Sequence, residues 1–191
     1  MVSYEVLREA RDIIRARFGE SCTYDWGVEL IARNTDPLVW CYAITVFLAD
    51  WNWVYYKDRN SSEVVLSIMK GLCPLLREIK DIIARFRDLK LDEVQEAELE
   101  RLKPIITELF NRLAGVVGYT GASKALHLLA PRFFVMWDDK IREHYGVSTD
   151  AEGYYELLRK MREEIREAVE TYSKDQGVLD YSRLVKSSKN L

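Results

Sequence analysis

The sequence predicts an all-α protein, a single-domain multi-helix bundle over residues 1–180 with a basic tail over 181–191. Three observations carry that prediction. Apolar residues recur at the 3.6-residue helical period along almost the whole chain, strand-like alternation is absent, and helix start signals stand between the periodic stretches. Counting those stretches gives about eight to ten helices.

Leu7, Ala10, Ile13, Ile14 and Phe18 form the apolar stripe of a first helix that Gly19 stops. A short helix is expected over Trp26 to Ala32. Thr35-Asp-Pro37 then supplies an N-cap with proline at the first helical position, where its missing N–H costs nothing. The helix it opens, Leu38 to about Tyr56, is apolar nearly all round and is therefore the expected central helix. Further helices are expected over Ser62–Lys70 and Pro74–Asp88. Asp92-Glu-Val-Gln95 has capping-box spacing and opens a long helix towards Ala114, interrupted near Pro104. Thr149-Asp-Ala-Glu152 repeats that spacing and opens a helix to about Tyr172. The tail from Ser182 holds Arg183, Lys186 and Lys189 without an acid, and is expected to fray.

The 191 residues are 48% hydrophobic and 31% charged, with a formal charge of −3. That balance fits a globular protein and excludes a strongly basic surface, so indiscriminate affinity for nucleic acid is not expected. Cys22, Cys41 and Cys73 are widely spaced, with no C-x-x-C pair and no histidine at zinc-finger spacing. Reduced thiols with no zinc site or disulfide framework are expected, with Cys41 and Cys73 in the core; no cofactor is expected. The N-terminus lacks a basic segment followed by an apolar one, and the most apolar run, Pro37 to Leu48, is too short to span a bilayer. A cytoplasmic protein away from membranes is expected. Few Asn and Gln beside abundant Glu, Arg and Lys lean towards a thermophile's usage.

The chemistry-bearing side chains concentrate between Gly118 and Gly146. Gly118 and Gly121 allow a tight turn, and Thr120 or Ser123 can cap the helix that follows, whose N–H groups suit an anion. Lys124 lies where the positive end of that helix would depress its pKa, as a Schiff-base nucleophile requires; an ordinary solvated lysine has the same sequence appearance. His127, three residues on, is either a hydrogen-bonded core histidine or part of the same face. Phe133-Phe-Val-Met-Trp137 reads as a buried run delivering Asp138 and Asp139 to the next helix. One of the two caps that helix, and the other either pairs with Arg142 or remains, beside Trp137, as a base or electrostatic stabiliser. Trp51 and Tyr55 share a helix face and are expected to wedge into the core. Trp53 and Tyr56, near Lys57 and Arg59, are candidates for stacking a base or lining a pocket.

Ser123-Lys-Ala-Leu-His-Leu-Leu-Ala-Pro-Arg-Phe-Phe-Val-Met-Trp-Asp138 resembles a motif shared by a group of helical proteins without an assigned activity. More distantly, Gly118 to Gly146 resembles the helix-hairpin-helix DNA glycosylase superfamily. The resemblance implies a helical glycosylase-like fold in which Gly121 is the second hairpin glycine, Lys124 the nucleophile and Asp138 the essential acid. It implies DNA as partner, no cofactor, and base excision on a nucleotide turned out of the stack. Three departures stand beside it: the turn is Gly-x-x-Gly, the interval to Asp138 is a few residues shorter than in the superfamily, and Ser123 occupies the superfamily's lysine position. Lys124 is thus rotated by about 100° around the helix. The alternative function is a non-catalytic helical module binding a protein partner or a small anionic ligand.

Overall fold

The computed structural model describes residues 22–51 and 61–176, and is helical with no strand among them. The helices are α1 (Cys22–Arg33), α2 (Pro37–Trp51), α3 (Ser61–Arg87), α4 (Glu96–Leu129), α5 (Asp139–Tyr145) and α6 (Ala151–Gln176). The first helix expected around Leu7 to Phe18, the tail, Trp53 and Tyr56 lie outside the described residues. The chain divides into two compact units, Ser21–Arg159 and Met1–Glu20 with Lys160–Leu191. Every residue of the candidate site that is described falls in the first.

Within Ser21–Arg159, α2 packs on α1, α3 and α4, and α4 also packs on α1 and α3. As the apolar sequence of α2 predicts, Trp40, Cys41, Ala43, Ile44, Phe47 and Leu48 are buried. Its start is the predicted one: the Asp36 carboxylate accepts from Leu38 N–H at 2.9 Å, with Pro37 at the first helical position. Where α1 ends, the Ile31 carbonyl accepts from Asn34 N–H at 3.3 Å and from the Arg87 guanidinium at 2.9 Å.

Several boundaries differ from the sequence reading. Pro74 and Pro104 interrupt neither α3 nor α4. The residues four positions before them, Lys70 and Glu100, are exposed, so water can take the place of the missing N–H at those carbonyls. The spacing of Asp92 to Gln95 is not used as a box: α4 starts at Glu96, and its N-cap Gln95 makes no side-chain cap. At α6 the capping residue is Asp150, whose carboxylate accepts from Gly153 N–H at 2.8 Å.

The expectation of reduced thiols is corrected at two positions. Cys41 on α2 and Cys73 on α3 form a disulfide, with their Cα atoms 5.3 Å apart. The packing of α2 on α3 brings the two together inside the usual bridging distance, a pairing that residues 32 apart do not announce in sequence.

Candidate functional site

The site begins with a glycine. Gly118 has φ 75° and ψ 167°, a backbone state that L side chains rarely adopt, and it divides α4 into two helical segments. Gly121, by contrast, is an ordinary buried helical residue, so the turn depends on one glycine rather than two. The second segment carries Ser123, Lys124 and His127 towards three different neighbours.

Ser123 is fully buried and fastens the Phe133–Trp137 run to α4. Its hydroxyl donates to the Thr120 carbonyl at 2.9 Å and accepts from Trp137 N–H at 3.2 Å. It therefore works inside the segment rather than as its cap. Trp137 is buried as predicted, its indole N–H donating to the Tyr119 carbonyl at 3.2 Å. Its ring meets Phe110 and Tyr154 edge-on, at centroid distances of 5.4 and 5.3 Å. The next residue, Asp138, is exposed, and its position is set by this anchored tryptophan.

Asp138 Oδ1 accepts from Ile141 N–H at 2.9 Å, making it the N-cap of α5. Asp139 pairs with the Arg142 guanidinium, which also donates to Thr149 and lies 5.7 Å from the centroid of the Trp137 ring. The two acids thus divide as the sequence allowed: one caps, the other forms an ion pair.

Lys124 is half-buried. Its ammonium donates to the Trp51 carbonyl, at the C-terminal end of α2. Burial lowers its pKa, and the nearby Asp138 carboxylate opposes that shift. The structure therefore brings Lys124 and Asp138 within each other's electrostatic influence.

His127 turns elsewhere, towards α1. Its Nδ1 lies 2.6 Å from the Phe134 carbonyl and its Nε2 lies 2.8 Å from the Tyr24 hydroxyl. A carbonyl can only accept, so Nδ1 carries the proton, Nε2 accepts, and Tyr24 donates. Burial lowers the His127 pKa, while the bond to Phe134 opposes it. Burial also pushes the Tyr24 phenol up to about 12, with the Asp25 charge adding to the rise. This is a satisfied core histidine, one of the two readings open in sequence. Its partner Tyr24, 103 residues away, had no sequence signal.

Among the described residues, no three His, Cys, Asp or Glu side chains are grouped to hold a metal ion, and no helix is long and apolar enough to cross a membrane. Fold and site define an all-α protein in which a half-buried amine lies within the electrostatic reach of a carboxylate at a helix start. No family model, curated protein or solved structure matches the chain.

Proposed function

We propose that the chain acts on nucleic acid through Lys124 and Asp138, by glycosylase-like base excision. The observation that carries this reading is the half-buried Lys124 amine, its basicity lowered by burial, within the electrostatic reach of a carboxylate at the start of α5. A less basic amine is neutral more often at a given pH, and only the neutral form attacks carbon.

In this chemistry the amine leaves the Trp51 carbonyl, gives up its extra proton, and attacks C1′ of the deoxyribose. The bond from C1′ to the base breaks, and the base departs with the bonding electrons and a proton from the attacking nitrogen. Opening of the sugar ring then gives a protonated Schiff base, with O4′ taking a proton from solvent. Asp138 stabilises the positive charge that develops on the sugar. The test is borohydride reduction with DNA carrying an abasic site or a damaged base. A covalent adduct that Lys124→Ala abolishes is the expected result. An adduct retained in Lys124→Ala, or none with the native chain, overturns the chemistry.

A second reading has its own observation. Asp138 caps α5, Asp139 pairs with Arg142, and Lys124 binds a peptide carbonyl, so each group already has a structural task. The hairpin would then be a packing unit in a non-catalytic module that binds a protein partner or a small anion. No adduct and no retardation of DNA at low salt is the outcome this reading requires.

A further inference from the structure

The helix that buries most of its surface also carries an uncovered stripe. Leu38, Tyr42 and Val46 on α2 are 38%, 50% and 44% exposed, and Trp26 on α1 is 44% exposed. These four are the majority of the seven large apolar side chains exposed among the described residues. Leu38, Tyr42 and Val46 stand at i, i+4 and i+8, so they form one row about 12 Å long. Asp50 continues the row by another four positions, and the Thr23 hydroxyl donates to it, which fixes the start of α1 beside the row's end. Trp26 lies one turn beyond Thr23 on the same side of α1.

Within α1, α2 and the residues that join them the charge is one-sided. Between Cys22 and Trp51 the acids are Asp25, Glu29, Asp36 and Asp50. The one cation is Arg33, which is paired with Glu29, and there is no lysine. Asp36 and Asp50 thus stand towards the two ends of the row, with Asp25 and the Arg33-paired Glu29 on the neighbouring helix, while the Lys124 ammonium lies on the Trp51 carbonyl, one residue past Asp50. Phosphate backbones and anionic lipid surfaces are repelled by such a rim. A second copy of the chain fits poorly as well. An antiparallel pair centred on Tyr42 would set Leu38 against Val46 of the other copy, and would bring Asp50 towards the other copy's Asp36.

We propose that the α1–α2 face docks an amphipathic helix of a partner protein, with apolar residues at i and i+4 on the stripe and Lys or Arg flanking them opposite the acidic rim. The apolar row supplies the buried anchor of a helix-in-groove contact, and the rim supplies selectivity and speeds encounter. The docking contact uses neither the Lys124 amine nor the Asp138 carboxylate, so either assignment can fail without the other.

The probes are two synthetic peptides of about 18 residues with leucine at helical spacing, one with lysine at every other position and one with glutamate. Binding to the full chain is followed by calorimetry. The lysine peptide is expected to bind and the glutamate peptide not. Tyr42→Glu and Val46→Glu, each checked by circular dichroism to be folded, should weaken binding by about tenfold or more. The Asp36→Asn/Asp50→Asn variant keeps a residue able to cap α2 and should bind several-fold more weakly, with a flatter salt dependence. Equal binding of the two peptides, or binding unchanged by Tyr42→Glu and Val46→Glu, overturns the proposal. So does concentration-dependent dimerisation that Val46→Glu abolishes.

Discussion

The Lys124 ammonium donates to the backbone carbonyl of Trp51, fastening the second segment of α4 to the end of α2. A helix C-terminus is a favourable place for a cation, yet burial of the aliphatic stem and amine lowers the pKa of this lysine. The native chain therefore gives up that proton at lower pH than the unfolded chain. Between the lowered value and the ordinary one near 10.4, the unfolded chain binds more protons, so stability rises with pH across that window. Denaturant unfolding over this range should show the rise, and Lys124→Met should lose that contribution. A titration of Lys124 after carbon-labelled reductive methylation should place its midpoint below those of the exposed lysines.

The Tyr24–His127 pair sets a pH dependence at both ends of the range. His127 has a lowered pKa, so below about pH 6.5 the unfolded chain takes up a proton that the native chain resists, and stability falls on acidification. Tyr24 is raised to about 12, so above about pH 10 the unfolded chain loses its proton first and stability falls again. Tyr24→Phe should cost about 1 kcal/mol at neutral pH, because His127 Nε2 loses its donor. The same variant should lose Tyr24's contribution to the alkaline decline. Guanidinium unfolding curves at acidic, neutral and alkaline pH measure all three effects.

What was legible in the sequence was what neighbouring residues decide. The Asp36-Pro37 start of α2, the burial of Trp137 and the capping of α5 by one of the two aspartates follow from spacing and side-chain chemistry within a few positions. What was hidden depends on residues far apart. The Trp51 carbonyl that receives Lys124, the Tyr24 hydroxyl that meets His127 and the bridge from Cys41 to Cys73 exist only once the helices pack. Exposure also decided cases that residue type could not. Pro74 and Pro104 remain inside helices on solvent-facing turns, and the one described non-helical backbone state within α4 falls at Gly118. The apolar run of α2 predicted a helix buried all round, and the Leu38–Tyr42–Val46 row departs from that.

The bridge between Cys41 and Cys73 closes a loop of chain with a sequence separation of 32. Constraining a loop of that size in the unfolded chain stabilises the folded one by about 3–4 kcal/mol in the chain-entropy account. Reduction under native conditions should therefore lower the denaturant midpoint without abolishing helical circular dichroism. Cys73→Ala should lower it similarly and be insensitive to reductant. Equal midpoints with and without reductant in the native chain would count against the bridge.

Two glycines three residues apart in α4 should respond to alanine in opposite directions. Gly115 is exposed, lies in regular helix, and has nothing within 4 Å of where a Cβ would stand. Alanine there restricts the unfolded chain and favours the helix, so Gly115→Ala should stabilise by about 0.5–1 kcal/mol. Gly118 also has open space around it, but its φ is 75°. An alanine there meets no neighbour and is strained by its own backbone, so Gly118→Ala should destabilise by about 1–2 kcal/mol. Relief of that strain would draw residue 118 towards helical geometry. Straightening α4 would move the second segment, and with it the Ser123 hydroxyl that receives Trp137 N–H and the lysine that donates to the Trp51 carbonyl. Gly118→Ala should therefore also shift the Trp137 indole resonance and the Lys124 titration, whereas Gly115→Ala should leave both in place. Paired unfolding curves and amide–indole spectra of the two variants separate a glycine needed for its backbone angle from one that is merely permitted.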